Sequence, residues 1–328
     1  MFNYGGNGKL VYSHYTTNDT LRFGQKNVPA LINRRVSLVN YTQIKQSTDV
    51  CKEKATLEYD HSILGISPYV AKGKAPGGGP STAGVNFRED LLTDGLTQSR
   101  SMSMWFDKTG AAAKSTFRGT ALFGAVPKGK YSGQLTKIKL TPPEDYYVGY
   151  YIPTPQFSAT TVKGGKSVPL TVGKGQKNCL VDSGTGVDSL PIDQDVFLKA
   201  TGLVMNGGYP AWPGPCSSIP ANASLTITVP GATQGKSVTI KIPYRNYARG
   251  ISDYLGNKNK CSLSMELGAS YNCVFAAPSN TAMFIAVNDD TNEFALAQGG
   301  VSRGAAAGTP GLGDVIKIEK GGGIPGAV

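Results

Sequence analysis

Cys179-Leu-Val-Asp-Ser-Gly-Thr-Gly-Val-Asp-Ser-Leu-Pro191 is the stretch on which the reading of this chain turns. Its apolar start has strand composition and delivers Asp182 into a Ser-Gly-Thr turn. Small residues in the turn let backbone N–H groups and hydroxyls approach the carboxylate, so Ser183, Gly184 and Thr185 are expected to hold Asp182 in one place. A carboxylate fixed in this way suits a catalytic acid or base. Taken alone the tetrapeptide fits an ordinary turn as well, and its surroundings must decide. Ser183 and Thr185 read as structural hydrogen-bonders rather than reacting groups, because no histidine stands with either in a nucleophile motif. Further along, Asp188 reads as a surface turn residue, and Asp193, after Pro191, as the N-cap of a helix over 193–200.

Short alternating or apolar runs recur between Gly, Pro and Asn on both sides of this segment, at 10–15, 20–23, 36–44, 101–106, 119–123, 135–140, 146–152, 225–229, 238–242 and 282–287. They predict a mainly β protein with many tight turns, with one further helix over 86–92. The composition shift at Thr141-Pro-Pro-Glu-Asp145 marks a domain boundary. From Gly299 onward the chain is rich in Gly and Ala and reads as a loosely held tail with an edge strand at 315–318.

A chain of 328 residues with 40% apolar content is long enough for two domains, each with a core. Charged residues make up 17% and the 42 glycines lack a three-residue period, which excludes disordered and collagen-like classes. No apolar stretch approaches the ~18 residues of a membrane-spanning helix. The net charge of +11 invites a nucleic-acid reading, but the basic residues are scattered. The densest groups are Lys163 with Lys166, Lys174 with Lys177, and Lys258 with Lys260, all in turn-like contexts, so a solvated basic surface is expected. Gly165-Lys-Ser167 and Gly235-Lys-Ser237 imitate a P-loop ending, yet the required first glycine falls at Thr160 and Pro230. Two histidines, His14 and His61, leave little material for a zinc site.

Several further segments, in order, carry a resemblance to the pepsin-like aspartic proteases, of the fungal secreted type. Asn3-Tyr-Gly-Gly-Asn-Gly8 resembles the flap hairpin of that family, and Asn18-Asp-Thr-Leu-Arg-Phe-Gly24 the strand after it. Ser62-Ile-Leu-Gly-Ile66 and Asp90-Leu-Leu-Thr-Asp-Gly-Leu96 resemble an apolar-apolar-Gly element and the helix that follows. Leu122-Phe-Gly-Ala-Val126 with Lys130-Tyr-Ser-Gly133 is similar to a stretch near the lobe junction, and the hairpin 162–168 leads into Asp182 as the family requires. Phe284-Ile-Ala-Val-Asn288 and Asn292-Glu-Phe-Ala-Leu-Ala297 resemble the closing strands. Two departures stand out: Val274-Phe-Ala-Ala277 where the family has apolar-apolar-Gly-Asp, and His61-Ser62 where it has Asp-Gly.

This resemblance implies a bilobal, mainly β acid-protease fold with an incomplete first lobe over 1–143, a second lobe over 144–300 and a tail over 301–328. It implies aspartic endopeptidase chemistry with Asp182 as one catalytic carboxylate, Tyr4 and Gly5 in the substrate-covering flap, and a disulfide between Cys216 and Cys261. The family uses two Asp-[Ser/Thr]-Gly motifs and this sequence holds one, so the chain is expected to lack the part bearing the partner carboxylate and to be inactive alone. Cys179 reads as a buried small hydrophobe, and Cys51 and Cys273 are unassigned. The implied substrate is a polypeptide; a monomer without metal, organic cofactor, nucleic acid or membrane span is expected. Sequons at Asn18, Asn40 and Asn222 fit a secretory route, although the segment after Met1 does not have the pattern of a signal peptide. Two alternatives stay open: a non-catalytic relative that binds peptides or cell-wall polymers, and a homodimer in which each chain contributes Asp182.

Overall fold

The structure, a computed structural model, describes residues 2–4, 9–22, 30–44, 64–68, 87–107, 119–142, 148–164, 167–248, 259–268, 273–302 and 312–328. Two compact units divide the chain, Met1–Thr97 and Gln98–Val328.

In the first unit β1 (Phe2–Tyr4), β2 (Lys9–Leu21) and β3 (Leu31–Ile44) form an antiparallel sheet in that order. The sequence breaks β2 into two strands because Asn18 and Asp19 are poor strand formers. Pairing with β3 nevertheless runs through them, Asn18 opposite Arg35 and Asp19 opposite Arg34, and the ladder absorbs the misfit as register shifts at Tyr12/Ser13, Ser13/Tyr15 and Asp19/Leu21. The helix α1 (Phe87–Thr93) follows, and its buried Arg88 donates from Nη2 to the Ser67 carbonyl at 2.6 Å.

The second unit opens with β4 (Ser101–Phe106), β5 (Gly119–Phe123), β6 (Ala125–Pro127) and β7 (Ser132–Ile138). Next come β8 (Tyr150–Pro153), β9 (Gln156–Ala159), β10 (Val168–Leu170), β11 (Asn178–Val181) and β12 (Asp188–Leu190). Helix α2 (Gln194–Thr201) precedes β13 (Val204–Asn206), β14 (Tyr209–Trp212), β15 (Ser224–Pro230) and β16 (Ser237–Pro243). The short helix α3 (Tyr244–Tyr247), β17 (Cys261–Ser262), β18 (Met265–Leu267), β19 (Cys273–Phe275) and the short helix α4 (Ala277–Asn280) follow. The chain closes with β20 (Met283–Asn288), β21 (Glu293–Gln298) and β22 (Val315–Lys317).

Local sequence explains most of these elements. In β16, Val238, Ile240 and Ile242 are buried while Ser237, Thr239 and Lys241 face solvent, the period of two that half-covered strands require. β20 instead is buried along its whole length, because it lies between β4 and β21 in the sheet β5-β4-β20-β21-β7. Helix α2 starts where the Asp193 carboxylate accepts the Val196 N–H at 2.9 Å. It stops at Gly202, whose φ of 76° lets its N–H close on the Leu198 carbonyl at 2.8 Å.

Strands β4, β5 and β7 lie in the segment 98–142, which the sequence reading puts in the first domain, yet they share a sheet with the closing strands β20 and β21. Trp105, Val126, Leu135, Phe284 and Ala295 form the core beside this sheet. The expectation of a loose tail fails for residues 312–328. Ile318 and Ile324 are buried in the same core, β22 pairs with β6, and the Val328 backbone exchanges hydrogen bonds with Leu135 and Lys137. Glycine content made this segment look unanchored, whereas two isoleucines and its backbone N–H groups tie it down.

Candidate active site

β11 and β12 are joined by the turn 182–187 but are not neighbours: β19 lies between them, parallel to β11 and antiparallel to β12 at Ser189 and Val274. The turn therefore crosses the end of β19 and is tied to it on both sides. The Asp182 N–H donates to the Phe275 carbonyl at 2.9 Å, and the Ala277 N–H donates to the Thr185 carbonyl at 2.8 Å.

Within this frame the carboxylate of Asp182 is gripped on both oxygens. Oδ1 accepts the Gly184 N–H at 2.8 Å, and Oδ2 accepts the Thr185 hydroxyl at 2.6 Å. A Cβ at position 184 would come within 3.2 Å of Oδ1, so the glycine keeps the approach open. Asp182, Ser183 and Thr185 are half-buried and Gly184 is exposed. A carboxylate with one donor on each oxygen keeps lone pairs for a water or a substrate, which is the arrangement a proton acceptor or donor needs.

Asp188, expected in a surface turn, is instead fully buried in β12. Its Oδ1 accepts the Ala276 N–H at 2.9 Å, and its Oδ2 accepts the hydroxyls of Ser279 and, at 2.9 Å, Tyr247. Burial raises the Asp188 carboxyl to about 7 against these hydrogen bonds, which act to lower it. Burial, with Asp188 alongside, pushes the Tyr247 phenol up, so it remains a neutral donor. The missed signal is spacing: Asp188 and Leu190 stand two apart in one strand and face the same interior.

Cys179 is buried, as expected, but as half of a disulfide rather than as a small hydrophobe. It pairs in register with Cys273 across β11 and β19, and the two form a disulfide. The repeated pattern Cys179-Leu-Val and Cys273-Val-Phe, two apolar strand starts each led by cysteine, was the available clue. Cys216 and Cys261 form a second disulfide. Tyr4 ends β1, paired with Lys9. Gly5 and Cys51 lie outside the described residues.

Comparison with known proteins agrees with this architecture. The profile of the family described as "Eukaryotic aspartyl protease" matches residues 15–297. Among solved structures, the aspartic proteinase from Irpex lacteus is similar in fold, with a TM-score of 0.55 at 14% identity, over 90% of this chain and 85% of that one. No curated protein sequence matches.

Proposed function

Because the chain belongs to the eukaryotic aspartyl protease family, we propose that it is an aspartic-type endopeptidase component in which Asp182 is one of two carboxylates that activate water for peptide hydrolysis. The observation that carries this reading is the grip on Asp182 by the Gly184 N–H and the Thr185 hydroxyl at the end of a strand. Two carboxylates close together share one proton. The ionised member takes a proton from the attacking water while the protonated one polarises the scissile carbonyl, and titration belongs to the pair.

Asp182 stands in the one Asp-[Ser/Thr]-Gly motif of this sequence. On this reading the 328-residue chain does not hydrolyse peptides alone, since losing a positioned acid or base costs about 10²- to 10⁴-fold and more when the groups act as a unit. Tyr4 and Gly5 are assigned to the flap, Ser183 to support of the turn, and Cys216–Cys261 to structure. The substrate is an extended polypeptide, held by backbone hydrogen bonds and selected by side-chain pockets. The protein acts as a monomer without nucleic acid. Two disulfides support residence in the secretory pathway or outside the cell, and among the described residues no helix is long and apolar enough to cross a membrane.

The test compares the chain with its Asp182→Asn variant on fluorogenic peptides between pH 3 and 7, and measures binding of a statine-type transition-state analogue beside a matched peptide. The expected result is hydrolysis no faster than in the variant, with the analogue bound more tightly than the peptide. Inhibitor-sensitive hydrolysis that disappears in Asp182→Asn would refute inactivity while supporting the reaction class. Equal binding of analogue and peptide would favour a non-catalytic binder of peptides or cell-wall polymers, the reading to which the lone motif also points.

A further inference from the structure

Three consecutive residues, from the last of β19 to the first of α4, are each tied to a different part of the segment 182–188, the turn that carries Asp182 and the first residue of β12. Phe275 accepts the Asp182 N–H on its carbonyl, Ala276 gives its N–H to the Asp188 carboxyl, and Ala277 gives its N–H to the Thr185 carbonyl. Asp188 thus holds the middle of a three-residue clamp whose outer members hold the two ends of the Asp182–Thr185 turn. The Asn280 amide reinforces the same point, donating to the carbonyls of Phe275 and Ala276 at 2.9 and 2.8 Å.

We propose that Asp188 is a positioning residue for Asp182: it holds the end of β19, and through it the Ser183-Gly184-Thr185 turn, in a register that responds to whether its own carboxyl carries a proton. The inference rests on the assignment of Asp182 as a catalytic carboxylate.

The chemistry of the cluster makes the response necessary. As a carboxylate, Asp188 accepts from Ala276, Ser279 and Tyr247 at once. As a carboxylic acid it carries a proton of its own, which must be donated to one of these hydroxyls. Each hydroxyl has one proton, so while both donate to the carboxylate neither donates to the other across the 2.9 Å between them. In the acid form one bond reverses, and the hydroxyl released from the carboxyl can turn its proton to its neighbour. The bond from Ala276 loses its charge assistance at the same time. Among the described residues no cation pairs with Asp188 to hold one state. The titratable groups facing the cluster are the phenols of Tyr247 and, behind it, Tyr244, both on α3 and both kept neutral by burial; α4 contributes Ser279, and Glu266 on β18 is exposed. Burial places the Asp188 transition at about 7, within reach of ordinary solution conditions.

The test is an NMR titration of the full chain from pH 4 to 9, following aspartate carboxyl carbons and the backbone amides of Asp182, Gly184, Thr185, Ala276 and Ala277. The expected result is one common transition near neutrality at Ala276 and at the turn amides, abolished in Asp188→Asn, whose neutral carboxamide keeps the shape of the acid. Tyr247→Phe removes a donor to the ionised form, and the midpoint should rise by about one pH unit. Turn amides that stay silent while Asp188 titrates, a transition that persists in Asp188→Asn, or a midpoint unmoved in Tyr247→Phe would each overturn the proposal. If Asp188→Asn fails to fold, Tyr247→Phe decides alone. None of these signals requires hydrolysis, so a chain that shows the coupling but binds no peptide would refute the endopeptidase reading, and with it the catalytic meaning of the coupling. Silent turn amides in a chain that binds the analogue would overturn the positioning role alone.

Discussion

Cys179 and Cys273 face each other in register on the parallel strands β11 and β19, and their disulfide lies three residues before Asp182 on one strand and two before Phe275, its hydrogen-bond partner, on the other. The covalent link and the Asp182–Phe275 bond therefore pin the same pair of strands at two successive levels.

Removing this bridge should cost more than removing an isolated core contact. The bridged residues are 94 apart in sequence, for which loop entropy corresponds to about 4 to 5 kcal/mol. A Cys179→Ala/Cys273→Ala chain is expected to lose stability on that order in urea unfolding, with Cys216–Cys261 intact by non-reducing peptide mapping. A loss below about 1 kcal/mol would mean that the sheet holds its register without the link.

Thr185→Val replaces the hydroxyl on Asp182 Oδ2 by a methyl group of similar size. The expected loss is about 1 to 2 kcal/mol, the range for a partly exposed hydrogen bond to a charged group, and Thr185→Ser should recover most of it. Thermal melts of the three chains at one pH read this out. Equal melting of Val and Thr would show that the turn is held by its backbone bonds alone.

Asp188 sets a pH dependence of stability of opposite sign to that of a salt-bridged carboxylate. Its native value of about 7 exceeds the ordinary 3.8, so between these values the folded chain binds more protons than the unfolded one. Its contribution is fully present below about pH 4 and is lost as pH rises through about 7. The total corresponds to about 4 kcal/mol. Urea midpoints measured across that window should fall with pH in the natural chain and flatten in Asp188→Asn.

Glu293 should act at the acid end. Burial alone would raise its carboxyl, but Lys137, paired at 2.5 Å, and the Ile324 N–H at 2.6 Å outweigh that and hold it below the ordinary 4.5. Its contribution is present above that value and is lost as pH falls through the native one. Glu293→Gln is expected to cost about 1 kcal/mol at pH 7 and nothing once the Glu293 carboxyl would be protonated in both the folded and the unfolded chain. Because Ile324 belongs to the C-terminal segment, limited proteolysis should release that segment faster from the variant at neutral pH.

Much of this was readable in advance where the physics is local. Alternation in Val238, Ile240 and Ile242 identifies β16 without any partner in view, and Asp193 after Pro191 marks the start of α2 because a cap acts on its own helix. The turn holding Asp182 was legible for the same reason, since Gly184 and Thr185 are two and three residues away. Reading failed where a residue's role depends on a distant strand. Asn18 and Asp19 remain in β2 because β3 pairs with them, and the glycine-rich end is fastened by Ile318 and Ile324 docking beside Trp105 and Phe284.

Sequence by itself determined the β character of the chain, its capped helix and the carboxylate presented by a Ser-Gly-Thr turn, since each follows from side chains within a few residues of one another. Only the tertiary structure decided that Cys179 meets Cys273 and that Asp188 lies inside. Both outcomes follow from the insertion of β19 between β11 and β12, strands separated from it by tens of residues. A polar group turns inward only when donors such as Ala276, Ser279 and Tyr247 converge on it, and long-range chain packing alone brings those donors together.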